Sequence, residues 1–221
     1  MQRLTVGAGV LVLVGLVCNT QAAGQDIPEE ARKHLAQTLQ GSFVVFRAKV
    51  QEDLKLSKEQ EEKMEEYLKE RIGDAMGFFQ KIDGLKGEER EKALKAYRPK
   101  AQEKLAAFLK ETLKDDQRKR LRQLELQREG ALALWHGDPE IGKTMKITDE
   151  QRKQFMAVVL DMQKKIGPLI KEAQSGGDPQ EIGPKVMKIR REHEGQIEAL
   201  LNDAQKKQWT KMLGKPLNLD E

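Results

Sequence analysis

The chain has 221 residues, a formal net charge of +4 at pH 7, 34% charged residues and only 5% aromatic residues. Its one cysteine, at position 18, excludes a disulfide-stapled fold and a site built from several thiolates. Acidic and basic residues are interleaved, as where Asp115 and Asp116 precede Arg118, and no basic block carries interleaved aromatic residues. This charge pattern is typical of solvated helix faces and predicts no nucleic-acid partner.

The N-terminus has the pattern of a secretory signal peptide. Arg3 precedes an apolar run from Leu4 to Val17, and Ala22 and Ala23 offer small residues for cleavage. The run is shorter than the ~20 residues that a spanning helix needs. We therefore predict a signal peptide over residues 1–23, export, and no stable membrane insertion after cleavage. A retained anchor and lipidation of Cys18 are the alternatives.

After the signal peptide the sequence predicts helices in chain order. An amphipathic lead helix is expected over residues 28–53, and a first helical unit over 54–130. In this unit Ser57 begins a helix that breaks between Gly84 and Gly87. The next helix contains Pro99, which predicts either a kink or a later start. The helix after Gln117 is expected to end near Gly130.

A second helical unit is predicted over residues 141–217. Thr148 begins its first helix, and Gly167 with Pro168 is expected to kink that helix. The turn follows at 175–179, where Asp178 caps a new helix with Pro at its first position. No segment alternates as a strand would, so the predicted fold is all-α, an elongated assembly of helical hairpins.

One five-residue phrase recurs four times in the two units and marks a repeated structural element. The copies are Leu56-Ser57-Lys-Glu-Gln60, Leu113-Lys-Asp-Asp-Gln117, Ile147-Thr148-Asp-Glu-Gln151 and Leu201-Asn202-Asp-Ala-Gln205. Four residues after each Gln comes a large apolar residue: Met64, Leu121, Phe155 or Trp209. We therefore expect a cluster of Leu, Gln and an aromatic residue at each helix corner.

The phrase has the chemistry of a helix start. In Ser57-x-x-Gln60 and Thr148-x-x-Gln151 the hydroxyl accepts from the third helical N–H and the Gln side chain returns to the N–H of the capping residue. Asn202 provides a variant cap. Lys114 cannot cap in this way, so Asp115 or Asp116 is expected to replace it one position late.

The phrases also align in pairs. Placing Gln60 on Gln151 requires an offset of 91 residues, and placing Gln117 on Gln205 requires an offset of 88. Apolar character is preserved at matching positions on both sides of each phrase. This alignment predicts a tandem duplication of one helical unit.

The phrase resembles the LTxxQ motif of the Spy/CpxP family of exported helical proteins. The resemblance covers roughly Val50 to Pro216, with two good and two degenerate copies. It implies a periplasmic, ATP-independent chaperone or stress-response protein that binds unfolded or partly folded exported proteins on a basic, cradle-like face. Relatives typically dimerise, so the chain is expected to be either a homodimer or a monomer whose duplication replaces the dimer.

Other functions remain to be weighed beside this one. The principal alternative is a signalling or scaffold module that docks on one folded envelope partner. We expect no catalytic residue, cofactor or metal site, because the chain lacks a phosphate-binding loop and a nucleophile elbow and its three histidines are scattered. A metal sensor using His193 is the least favoured hypothesis. Met76, Met156, Met162 and Met187, on or near apolar stripes, are typical either of core packing or of an adaptable binding face.

Overall fold

A computed structural model describes residues 41–85, 87–135 and 138–218. Over these ranges it contains helices and no strand, which confirms the all-α prediction. None of the described helices is both long enough and apolar enough to cross a membrane. The predicted signal peptide and residues 28–40 of the predicted lead helix lie outside the described ranges.

The described elements follow one another with short connections. In chain order they are a 3-10 turn at Gly41–Phe46, α1 at Ala48–Asp53, α2 at Lys58–Ile82, α3 at Gly87–Thr112, α4 at Asp115–Glu129, a second 3-10 turn at Gly130–Leu134, α5 at Pro139–Met145, α6 at Asp149–Gln174, α7 at Pro179–Ala199 and α8 at Asp203–Leu213.

The described chain divides into two compact units, residues 41–125 and Leu126–Asn218. The division lies earlier than the gap between 130 and 141 that the sequence predicts. Leu126, in the last turns of α4, is 2% exposed and belongs to the hydrophobic core that contains Phe155 and Trp209. The division between the two units therefore falls within α4.

Helices α2 and α3 form an antiparallel hairpin in the first unit. The rings of Phe78 and Tyr97 stack with centroids 4.1 Å apart, and those of Tyr67 and Phe108 stack at 4.0 Å. From the first of these pairs to the second, the residue number falls from 78 to 67 in α2 and rises from 97 to 108 in α3. The two helices therefore run in opposite directions. Helix α3 starts at Gly87 and continues through Pro99, so the later start that the sequence allowed is wrong.

The predicted lead helix is not a single α-helix over residues 41–53. A 3-10 turn ends at Phe46, the backbone of Arg47 is extended, and α1 begins at Ala48. The four residues from Phe43 to Phe46 are all at most 6% exposed. An amphipathic helix would expose one face, whereas these four consecutive residues are all buried, so this segment is not the amphipathic helix that was predicted.

Helices α6 and α7 form a second antiparallel hairpin. The turn at 175–178 joins them, and the Oδ1 atom of Asp178 accepts a hydrogen bond from the N–H of Gln180 at 2.8 Å. Helix α6 is continuous through Gly167 and Pro168. The hairpin packs on a core with buried residues Leu126, Ala131, Leu132, Ala133, Leu134, Ile141, Met145, Ile147, Phe155, Val159, Ile197, Leu201 and Trp209.

Candidate functional site

The four glutamines of the recurring phrase meet in two pairs. In the first unit the Nε2 atom of Gln60 donates to Oε1 of Gln117 at 2.8 Å, and Nε2 of Gln117 donates to Oε1 of Gln60 at 3.0 Å. Each Oε1 atom also accepts from a capping backbone N–H, that of Ser57 at 3.0 Å and that of Lys114 at 2.9 Å. The capping boxes are thus joined to each other.

The remaining amide protons of this pair reach the ends of neighbouring helices. Nε2 of Gln60 donates to the carbonyl of Thr112 at 2.7 Å, where α3 ends. Nε2 of Gln117 donates to the carbonyl of Leu54 at 3.2 Å, just beyond α1. A glutamine side chain offers two N–H donors and an oxygen with two lone pairs. Every one of these positions is filled, so the pair binds four helix ends without a buried unsatisfied group.

The second unit repeats this geometry. Nε2 of Gln151 donates to Oε1 of Gln205 at 2.7 Å, and the reverse bond measures 3.0 Å. Nε2 of Gln151 also donates to the carbonyl of Leu200 at 2.9 Å, and that of Gln205 to the carbonyl of Met145 at 3.1 Å. The acceptor Met145 lies 91 residues after Leu54, and the acceptor Leu200 lies 88 residues after Thr112. These are the offsets that align the phrases.

Both pairs lie beside a residue in the left-handed backbone region. Lys55 and Lys146 have φ values of 51° and 49°, and they are the non-glycine residues with positive φ in the described ranges. They occupy equivalent positions between a short helix and a capped long one. The left-handed residue turns the chain sharply enough to present the last helical carbonyls to Gln117 and Gln205.

The other residues of the phrase have distinct roles. Ser57, Thr148 and Asn202 are N-caps of complete capping boxes. The fourth helix starts at Asp115, and the N–H of Arg118 bonds the carbonyl of Lys114 at 2.9 Å. Lys114 therefore holds the N-cap position, and the expectation that Asp115 or Asp116 replaces it is wrong. The lysine side chain has no acceptor oxygen and cannot cap the helix. The hydrogen bond from the Lys114 N–H to Oε1 of Gln117 nevertheless keeps Lys114 in the position that Ser57, Thr148 and Asn202 hold in the other copies.

The leading apolar residues mostly enter the core. Leu113, Ile147 and Leu201 are buried, whereas Leu56 is half-buried. Ile147 and Leu201 share a core with Phe155 and Trp209, so the expected cluster is present in the second unit. In the first unit the matching buried residues are Met64 and Leu121, which supply no aromatic ring.

Two neutral amides with every donor and acceptor engaged have no proton to exchange and no lone pair to offer a ligand. The recurring phrase thus connects helix ends. The sequence predicted the caps at Ser57, Thr148 and Asn202 but not the glutamine pairing, for which the similar offsets of 91 and 88 residues were the available signal.

His193 is the buried histidine of the described ranges, with no side-chain exposure. Its Nδ1 atom lies 2.6 Å from the carbonyl oxygen of Ile189 and its Nε2 atom lies 2.9 Å from Oδ2 of Asp161. Both partners are hydrogen-bond acceptors, so each contact is made by a ring nitrogen that carries a proton. Hydrogen bonds from Lys165 and from His193 lower the pKa of the Asp161 carboxyl.

This arrangement does not suit a metal ion. A histidine binds a metal through a ring nitrogen that has no proton, and both ring nitrogens of His193 are engaged with acceptors. Among the described residues there is no cluster of three potential His, Cys, Asp or Glu ligands. The geometry at His193 is that of a link between α6 and α7.

Large apolar side chains are exposed on the same hairpin. Met156, Leu160 and Ile170 of α6 and Met187 of α7 are between 44% and 49% exposed. The sequence indicated Met156 and Met187 as candidates but not Leu160. The sequence did contain evidence that Leu160 is exposed, because Leu160 lies outside the apolar stripe through Phe155 and Val159 that faces the core.

Comparison with protein-family models, curated proteins and solved structures finds no match for this chain. The resemblance to the Spy/CpxP family therefore depends on the recurring phrase and its helical context.

Proposed function

We propose that this chain is an exported, periplasmic, ATP-independent chaperone or envelope-stress protein that binds aggregation-prone polypeptides on amphipathic helix faces. The observation that carries the proposal is the exposure of Met156, Leu160, Ile170 and Met187 on one hairpin. Exposed apolar side chains among charged ones favour weak, adaptable contacts, and methionine tolerates many partner shapes.

The proposal includes a tandem duplication of one helical unit. Its support is that equivalent residues of the two units are separated by the same offsets as the phrases. This holds for the two glutamine pairs, for Lys55 and Lys146 with their left-handed backbone, and for the four helix-end carbonyls that the glutamines bind. Duplication provides two rigid corners in one chain. In a chaperone, rigid corners would hold the long hairpins in place while their exposed faces contact the client.

The test is the aggregation of a reduced, unfolding test protein followed by light scattering. Substoichiometric amounts of the full chain should delay scattering. A Leu160→Gln, Ile170→Gln variant should delay it less, because two apolar contacts are lost. The matched control carries Ala106→Gln and Ala107→Gln, two exposed positions of α3, and should act as the unmodified chain does. No delay by the unmodified chain would refute the proposal.

The alternative, a module that docks on one folded envelope partner, makes a different prediction. Pull-down would then recover one stoichiometric partner, and the scattering curve would not change. Measuring mass in solution beside the scattering assay also distinguishes a monomer from a homodimer.

A further inference from the structure

One side of helix α6 combines exposed apolar residues with cations, and we call it the outer strip. It consists of Lys153, Met156, Leu160, Lys164, Ile170 and Lys171, all of which are exposed. None of these lysines has an ion-pair partner among the described contacts. Positions 156, 160, 163, 167 and 170 alternate steps of four and three residues, so they follow a single seam along an α-helix.

The charge on this strip is of one sign. Between Lys153 and Lys171 the single acidic residue in the sequence is Asp161. Its Oδ2 atom lies 2.7 Å from Nζ of Lys165 and 2.9 Å from Nε2 of His193, which is on α7. Asp161 is thus engaged toward the hairpin partner rather than with the strip, and it does not neutralise Lys164 or Lys171.

We propose that the outer strip binds an acidic amphipathic helix of a partner polypeptide. Apolar residues of that helix would pack along the seam from Met156 to Ile170. Its carboxylates would face Lys164 and Lys171, which both lie along one flank of the seam, as charged residues lie beside the contact between paired helices. The inference rests on the proposed function, because it specifies which segments of a client the hairpin selects.

The same chemistry disfavours two other occupants. A second copy of this chain joined strip to strip would offer lysines and no carboxylate, so it lacks the charge complementarity that an acidic helix provides. A membrane surface requires a broad, continuous apolar face, whereas Gln163 and Gly167 interrupt this narrow seam. A helix that places acidic residues along one flank of an apolar stripe fits the strip in charge.

The experiment measures fluorescence anisotropy of two labelled helical peptides with the full chain. Both carry leucines along one stripe, flanked by glutamates in one peptide and by lysines in the other. The acidic peptide should bind at least about tenfold more tightly at low salt, and added salt should reduce this preference. Lys164→Glu with Lys171→Glu should reverse it.

Two further variants separate charge from apolar contact and from folding. Leu160→Gln should weaken binding of both peptides. The matched control Lys110→Glu with Lys119→Glu changes two exposed lysines elsewhere and should keep the acidic preference. Thermal melting by circular dichroism verifies that every variant is folded.

Three results would overturn the inference. They are equal affinity for the two peptides, an acidic preference that persists in Lys164→Glu with Lys171→Glu, and tighter binding to phosphatidylglycerol vesicles that the same substitutions abolish. Failure of the scattering assay with retained acidic preference would refute the chaperone proposal alone. Delayed scattering without acidic preference would refute this inference alone.

Discussion

Gln60 and Gln117 hydrogen-bond to each other in both directions, at 2.8 and 3.0 Å, although 57 residues separate them. Gln60 is 9% exposed and Gln117 is 6% exposed. A buried reciprocal amide pair positions the start of two helices and the end of two others at once. Gln151 and Gln205 repeat it, so each unit has one such polar corner.

Gln117→Glu should destabilise the first unit by about 2–3 kcal/mol. The carboxylate loses both N–H donors, leaving the carbonyl of Leu54 unsatisfied and placing a charge beside Oε1 of Gln60. Urea unfolding at neutral pH measures the loss. The control, Gln102→Glu at an exposed position of α3, should stay within about 0.5 kcal/mol of the unmodified chain. A loss equal to that of the control would show that the pair contributes no stability.

Lys114→Asn should stabilise the chain by about 0.5–1 kcal/mol. Asparagine would complete the capping box that Lys114 leaves half-made, because its side-chain oxygen can accept from the N–H of Gln117. Thr148→Ala is the reverse experiment and should cost about 1 kcal/mol through the lost cap. Both are measured as changes in the free energy of unfolding in urea. If the asparagine destabilises the chain, Lys114 does not occupy the N-cap.

Lys146→Gly should raise stability by up to about 1 kcal/mol. The backbone of Lys146, with φ 49° and ψ 46°, is strained for a residue with a Cβ atom but not for glycine. The added entropy of the unfolded chain offsets part of this gain. Lys143→Gly, inside α5, should instead cost about 1 kcal/mol. Equal effects at the two positions would contradict the assignment of strain to Lys146.

Stability should fall in acid partly through Asp161. Hydrogen bonds from Lys165 and from His193 lower its pKa in the folded chain. Its stabilising contribution is therefore complete above the ordinary aspartate pKa of about 4 and is lost as the pH falls through the lower folded value. Thermal melts between about pH 5 and pH 2 should show a flatter acid limb for Asp161→Asn than for the unmodified chain. Asp149→Asn, in the first turn of α6, is the control. Parallel acid limbs for Asp161→Asn and the unmodified chain would exclude this contribution.

His193→Ala should cost about 1–3 kcal/mol, because it removes a buried side chain and leaves the carbonyl of Ile189 without its ring donor. Zinc should shift the melting temperature of this variant and of the unmodified chain equally. A zinc-dependent rise confined to the unmodified chain would support the metal-sensor hypothesis. The measurement is calorimetry with and without zinc, after treatment with a chelator.

The sequence predicted best what depends on neighbouring residues. The caps at Ser57, Thr148 and Asn202, the turn after Gln174 and the end of α4 next to Gly130 involve contacts within three or four residues, so their signals lie close together in the chain. The failures were also local predictions, but packing overrode them. The buried segment from Phe43 to Phe46 forms a 3-10 turn where the lead helix was predicted, and the bond from the Lys114 N–H to Gln117 keeps Lys114 at the N-cap in place of Asp115 or Asp116.

By itself the sequence determined the helical class, most helix starts and the two offsets that relate the phrases. Only the tertiary structure decided that Gln60 meets Gln117 and Gln151 meets Gln205, across 57 and 54 residues. It also decided that His193 lies between two acceptors and that Leu160 faces outward. A helix pattern records which side of a helix is apolar, but partners on distant helices depend on how those helices pack. That packing is set by the shape of the whole core.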